Sequence, residues 1–131
     1  MADIKTKIHE DIDLTIHKIT GALTVEEACD ELDRYYAAGR FTMRILWELT
    51  GADISSWQRE HITRLIYKVK EYSHLREGGK TALVLSRDLD FGISRMYQAY
   101  AAGERLEFEI EVFRDMEKAK EWLGVPVIPG E

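Results

Sequence analysis

The sequence predicts an α/β fold: a mainly parallel five-stranded sheet in the order ββαβαβαβα, wound as a β-α superhelix with helices mostly on one face. Three observations carry this. Segments with an apolar period of two alternate along the chain with segments of period 3.6. After the second strand every strand is separated from the next by a helix, which implies parallel pairing through right-handed crossovers. The strand EFEIEVF at 107–113 sets Glu107, Glu109 and Glu111 on one side, which suits a sheet whose second face is partly open.

Residues 4–10 and 14–20 alternate, Ile4, Thr6 and Ile8 being answered by Leu14 and Ile16, and EDID between them reads as the turn of a hairpin. Thr24 and Glu27 have the spacing of a capping box. They open a helix whose stripe is Val25, Ala28, Cys29, Leu32 and Tyr36, with Gly39 as its stop. MRILWEL at 43–49 is a strand with Met43, Ile45, Trp47 and Leu49 on one side. A long helix over 56–76 follows, with Ile62, Leu65, Ile66, Val69 and Tyr72 inward and Gly78-Gly79 at its end. TALVLS at 81–86 is nearly all apolar, as a central strand should be, and a helix over 91–102 closes at Gly103. After the strand at 107–113, Asp115 caps a helix over 116–123 that buries Met116, Ala119, Trp122 and Leu123 and stops at Gly124. These elements form one domain, 1–124, and the two prolines of VPVIPGE leave 125–131 as an extended tail. The open side of the sheet would carry Arg44, Leu46, Glu48, His17 and Ile19.

Composition narrows the function classes. A net charge of -6 argues against a general nucleic-acid binder, which needs clustered cations. No apolar run approaches the about 20 residues that span a bilayer, so no stable membrane insertion is expected. The opening MADIKTKIHED lacks the apolar core of a signal peptide, and the single Cys29 forms no internal disulfide; both point to the cytoplasm. The four histidines show no metal-ligand spacing, no glycine-rich loop cradles a phosphate, and no cofactor is expected.

On TALVLSRDLDFGISRMYQAYAAG and EIEVFRDMEKAKEWLG, above all FGISRMYQAY (91–100) and EVFRDMEKAKEWL (111–123), the chain resembles small bacterial proteins related to the anti-sigma-factor antagonists. The resemblance implies a STAS-like, or SpoIIAA-like, fold, related to that of Sec14-type lipid-binding proteins. Together with the lack of an acid-base or nucleophile constellation and the half-open sheet, it supports a non-catalytic regulatory or protein-interaction module. In the antagonists a strand ending like DLSGV leads to DSSG at a helix start, and the second serine is the kinase target. Here ELTGADISSWQ runs parallel, with Ser55 and Ser56 as the pair, Ile54 in place of the Asp and Trp57 in place of the Gly.

Two sites follow. Ser55 and Ser56 read as the N-cap of the helix over 56–76, as a phosphosite, or as both, since a phosphate is electrostatically welcome at a helix N-terminus. Nucleophilic chemistry would need a base tied to them and a strained elbow, and neither is evident; no catalytic residue is assigned. The helix over 91–102 presents Ile93, Met96, Tyr97, Tyr100 and Ala101 as core or as a cleft wall. As a cleft, Asp88, Phe91, Arg95, Met96, Tyr97 and Tyr100 would hold a small apolar or amphipathic anionic ligand, although Arg95 can instead pair with Asp88 or Asp90. A protein partner or a second copy of the chain would use the open sheet face.

Overall fold

A computed structural model describes residues 2–130, so Met1 and the last tail residue, Glu131, lie outside the described residues. The elements are β1 (Asp3–His9), β2 (Leu14–Ala22), α1 (Val25–Ala37), β3 (Arg44–Asp53), α2 (Arg59–Tyr72), β4 (Lys80–Val84), α3 (Asp88–Ala102), β5 (Glu109–Phe113) and α4 (Met116–Leu123). Short 3-10 turns fill Glu10–Ile12 and Ser73–Arg76. The sheet order is β1-β2-β3-β4-β5, with β1 antiparallel to β2 and every other pair parallel. This is the predicted order of elements and the predicted adjacency.

Local signals explain why these segments adopt these forms. Thr24 Oγ1 accepts from the Glu27 N–H at 3.1 Å while Glu27 Oε1 accepts from the Thr24 N–H at 3.0 Å, so both halves of the capping box open α1. Asp115 accepts from the Glu117 N–H at 2.8 Å to start α4, and Gly124, at φ 80°, ends it in the left-handed conformation that a side chain would resist. Gly79 is needed for a different reason. A Cβ there would stand 2.6 Å from the Met43 carbonyl oxygen, because the start of β4 passes directly against the start of β3.

Helices α1, α2 and α3 cover one face of the sheet. Leu49, Leu83, Leu85 and Val112 pack there against Ala28, Ile62, Ile66, Ile93 and Tyr97. The second face corrects the expectation of an open surface. Leu46, at 1% exposure, packs with Leu14, Ile16, Ala82 and Val84 under Ala119 and Leu123 of α4 and under Val125 and Ile128. The tail is thus part of the fold rather than free of it; burying Val125 and Ile128 contributes about 1.5–3 kcal/mol each. His17 and Ile19 are fully buried as well, on the α1–α3 side. The reason is positional. Strand β5 lies at the sheet edge, where exposed Glu109 and half-buried Glu111 are tolerated, but its alternation does not extend to β2 and β3, whose second-face residues Leu14, Ile16 and Leu46 are apolar and require a cover.

Candidate functional site

The loop after β3 holds the serine pair. Both the N–H and the hydroxyl of Ser55 donate to Asp53 Oδ1, at 2.9 and 2.6 Å, and the Trp57 N–H closes a turn on the Ile54 carbonyl at 3.0 Å. Buried Ile54 and the Trp57 indole, whose N–H donates to the Leu23 carbonyl at 2.8 Å, anchor this turn to the core. Helix α2 therefore starts only at Arg59. Its first turn is closed by His61 Nδ1, which accepts from the Gln58 N–H at 2.8 Å. This corrects the capping assignment: neither Ser55 nor Ser56 caps α2, because the anchored turn delays the helix past them. Ser56 stands exposed, with no hydrogen-bond partner among the described residues.

Asp53 also pairs with Arg87 at 2.9 Å, and Arg87 continues to Asp90 at 2.6 Å. The hydrogen bonds from the Ser55 hydroxyl and N–H, with that from Arg87, bring the Asp53 carboxyl to a pKa of about 2. A carboxylate so weakly basic is a poor acceptor for a serine proton.

Helix α3 divides the six residues proposed to form one cleft. Asp88 is bound by Arg114 at 2.7 Å, and the same guanidinium lies 4.3 Å from the centre of the Phe91 ring. Asp90, 2% exposed, belongs to Arg87. The expected ion pair of Arg95 with Asp88 or Asp90 does not form. Those residues lie seven and five positions before it, whereas helical neighbours meet at three or four. Arg95 and Met96 face solvent, Tyr100 walls a surface groove between α2 and α3 with Tyr67 and Glu104, and Tyr97 turns inward. A helix cannot aim consecutive residues 96 and 97 into one cleft, since they point about 100° apart.

Inside the molecule, between the sheet and α1–α3, the structure leaves a cavity of about 80 Å³. Aliphatic and aromatic side chains line most of it, including Leu49, Leu83 and Ile93. Trp47, on the middle strand beneath the helices, is half-buried and lines this space. Arg76, Thr81, Tyr36, Ser94 and Tyr97 bring polar atoms to the same wall. Arg76 is 1% exposed. Its guanidinium donates to the carbonyls of Thr42 (3.0 Å), Met43 (2.9 Å) and Lys80 (2.9 Å) and to the Thr81 hydroxyl (2.8 Å), and it stacks 4.5 Å from the Phe108 ring centre. No carboxylate among the described residues pairs with it. Burial pushes the Tyr36 and Tyr97 hydroxyl pKa values up, so both are neutral donors. The sequence places Tyr36 and Trp47 on apolar stripes but assigns them to no site, and it gives no role to Arg76 or Ser94. The signal for Arg76 was present: the α2 stripe of 62, 66 and 69, extended by helical spacing through 73, reaches 76.

Beside this cavity, His17 is fully buried, stacked 4.0 Å from the Trp47 ring and 2.8 Å from Thr6 Oγ1 through Nδ1. Thr6 in turn donates to Glu31 at 2.8 Å, so Nδ1 carries the proton and Nε2 is a buried acceptor without a partner among the described residues. Burial lowers the His17 pKa. Burial works against the Glu31 carboxylate, but hydrogen bonds from His17, Arg34 and Thr6 outweigh it and hold its pKa at about 2.

No family model and no curated protein matches the chain. Among solved structures it is similar to an uncharacterized protein of the DUF3478 family with a SpoIIAA-like fold from Shewanella loihica PV-4. The TM-score is 0.58 with 16% identity, over 93% of each chain. The chain has the SpoIIAA-like fold. That likeness covers nearly the whole domain and matches the fold implied by the sequence resemblance. In this SpoIIAA-like chain, the serine loop and the loop preceding α3 both leave the C-terminal ends of parallel strands, where open α/β sheets gather binding residues. No described helix is long and apolar enough to cross a membrane, and no described group of His, Cys, Asp and Glu could hold a metal ion.

Proposed function

We propose that this SpoIIAA-like chain is a non-catalytic interaction module whose docking surface is the outer face of α3. The observation that carries this is the exposure of Leu89 at 61% and Met96 at 41%, seven residues apart on one helix stripe. Gly92 lies between them, and Tyr100, one turn beyond Met96, leads into the groove beside Tyr67, itself 61% exposed. Large apolar side chains grouped on one helix face mark an interaction surface. The sheet face first expected to serve this purpose is closed by α4 and the tail. Ser56, exposed ahead of α2, is the modification site that this reading carries over from the resemblance.

Light scattering across a concentration series, with chemical crosslinking before purification, compares the natural chain with the double variant L89E/M96E. The expected result is self-association, or retention of one protein in stoichiometric amount, that the variant loses while keeping its denaturation midpoint. A natural chain that stays monomeric and retains nothing, or a variant that associates unchanged, overturns the proposal.

A further inference from the structure

We propose that the interior cavity is a binding site for a small monocarboxylate with a short apolar tail. The site is separate from the outer face of α3 and independent of the interaction reading. Its volume, about 80 Å³, is several times the about 10–15 Å³ that a cavity needs to hold one water. Most of the wall is hydrocarbon, against which a filling of water would lack the two to four polar partners each molecule needs. An apolar body fits there better than water does.

The polar groups on the wall specify the other end of the ligand. The Tyr97 and Ser94 side chains are buried, at 8% and 3% exposure, and their hydroxyls have no hydrogen-bond partner among the described residues. Thr81 accepts from Arg76 and keeps its own O–H free to donate. The Tyr36 hydroxyl sits beside the Arg76 guanidinium. These are hydroxyl donors on a wall that also carries a buried positive charge, and no carboxylate among the described residues lines the cavity to oppose it. Its complement is an acceptor bearing negative charge. A carboxylate placed among these donors would relieve the uncompensated guanidinium, which an isosteric amide would not. Half-buried Trp57, Leu65 and Phe108 form the outward wall, past which a small molecule enters.

The test is methyl-resolved NMR of the full chain titrated with sodium butyrate and, separately, with butyramide, which matches it in size and lacks the charge. Butyrate should give saturable shifts at the Ile93, Leu83 and Leu49 methyls, with affinity about tenfold or more above that of butyramide. Ala28→Leu, which places a larger side chain in the cavity wall, should abolish the shifts. Tyr97→Phe keeps the ring in place and should weaken butyrate several-fold more than butyramide, so the test stands even if Ala28→Leu fails to fold. Absence of saturable shifts, equal affinity for the two compounds, or shifts confined to surface residues would overturn the inference.

Discussion

Replacing Arg76 by lysine should damage this protein at least as much as replacing it by methionine. Arg76 joins the starts of β3 and β4 through four hydrogen bonds, to Thr42, Met43, Lys80 and Thr81. The Met43 carbonyl also accepts from the Lys80 N–H at 2.9 Å and keeps that bond in either variant, whereas the Thr42 carbonyl has no second partner among the described residues. With each bond from a charged donor worth about 1.5 kcal/mol at the low end, the four together amount to about 6 kcal/mol. Methionine removes the buried charge together with its bonds and so regains part of the desolvation cost, leaving a net loss of about 3 kcal/mol. Lysine keeps the charge in the same dry position but cannot fork to four acceptors, so its loss stays near 4 kcal/mol. Urea denaturation followed by tyrosine and tryptophan fluorescence measures both. A lysine variant within about 1 kcal/mol of the natural protein would show that the guanidinium fork is not what ties these strands together.

Three further outcomes are expected. Gly79→Ala places a Cβ 2.6 Å from the Met43 oxygen, so the strands must separate; a loss of about 2–4 kcal/mol should appear in the same denaturation assay. His61→Ala removes the group that accepts from Gln58 N–H and should cost about 1 kcal/mol, while Ser56→Ala should change the midpoint by less than about 0.5 kcal/mol. The pH dependence has two windows. His17 has a lowered folded pKa, so its contribution is present above the unfolded value of 6.5 and declines as pH falls below it. Glu31, depressed from 4.5 to about 2, contributes above the unfolded value and loses its contribution as pH falls through about 2. His17→Gln should flatten the melting-temperature profile between pH 7 and 5, and Glu31→Gln the profile below pH 4.5; an unchanged slope in either variant removes that group from the account.

The elements were legible because their signals are local. The capping box of Thr24 and Glu27, the stop at Gly124 and the alternation of Ile45, Trp47 and Leu49 each act within a few residues, and each recurs in the structure. The start of α2 differs from the local signal because what delays it is not local: Trp57 reaches back to Leu23, 34 positions earlier. The closed second face escapes a local reading because the polar alternation of edge strand β5 does not hold at the centre of the sheet.

The cleft on α3 was half legible. The right helix was chosen and Tyr97 does line a cavity, but the companions that give that cavity its chemistry come from α1, β3, β4 and the turn after α2. By itself the sequence determined the order of strands and helices, their parallel pairing and the side of each element that turns inward, since these rest on periodicity and on residues that start and stop a segment. Only the tertiary structure decided that α4 and the tail close the second face, that the serines stand outside a helix, and which carbonyls and hydroxyls surround the Arg76 guanidinium. Those outcomes depend on contacts between residues about thirty or more positions apart, such as Arg76 with Thr42, and no short-range pattern encodes which distant groups a folded chain brings together.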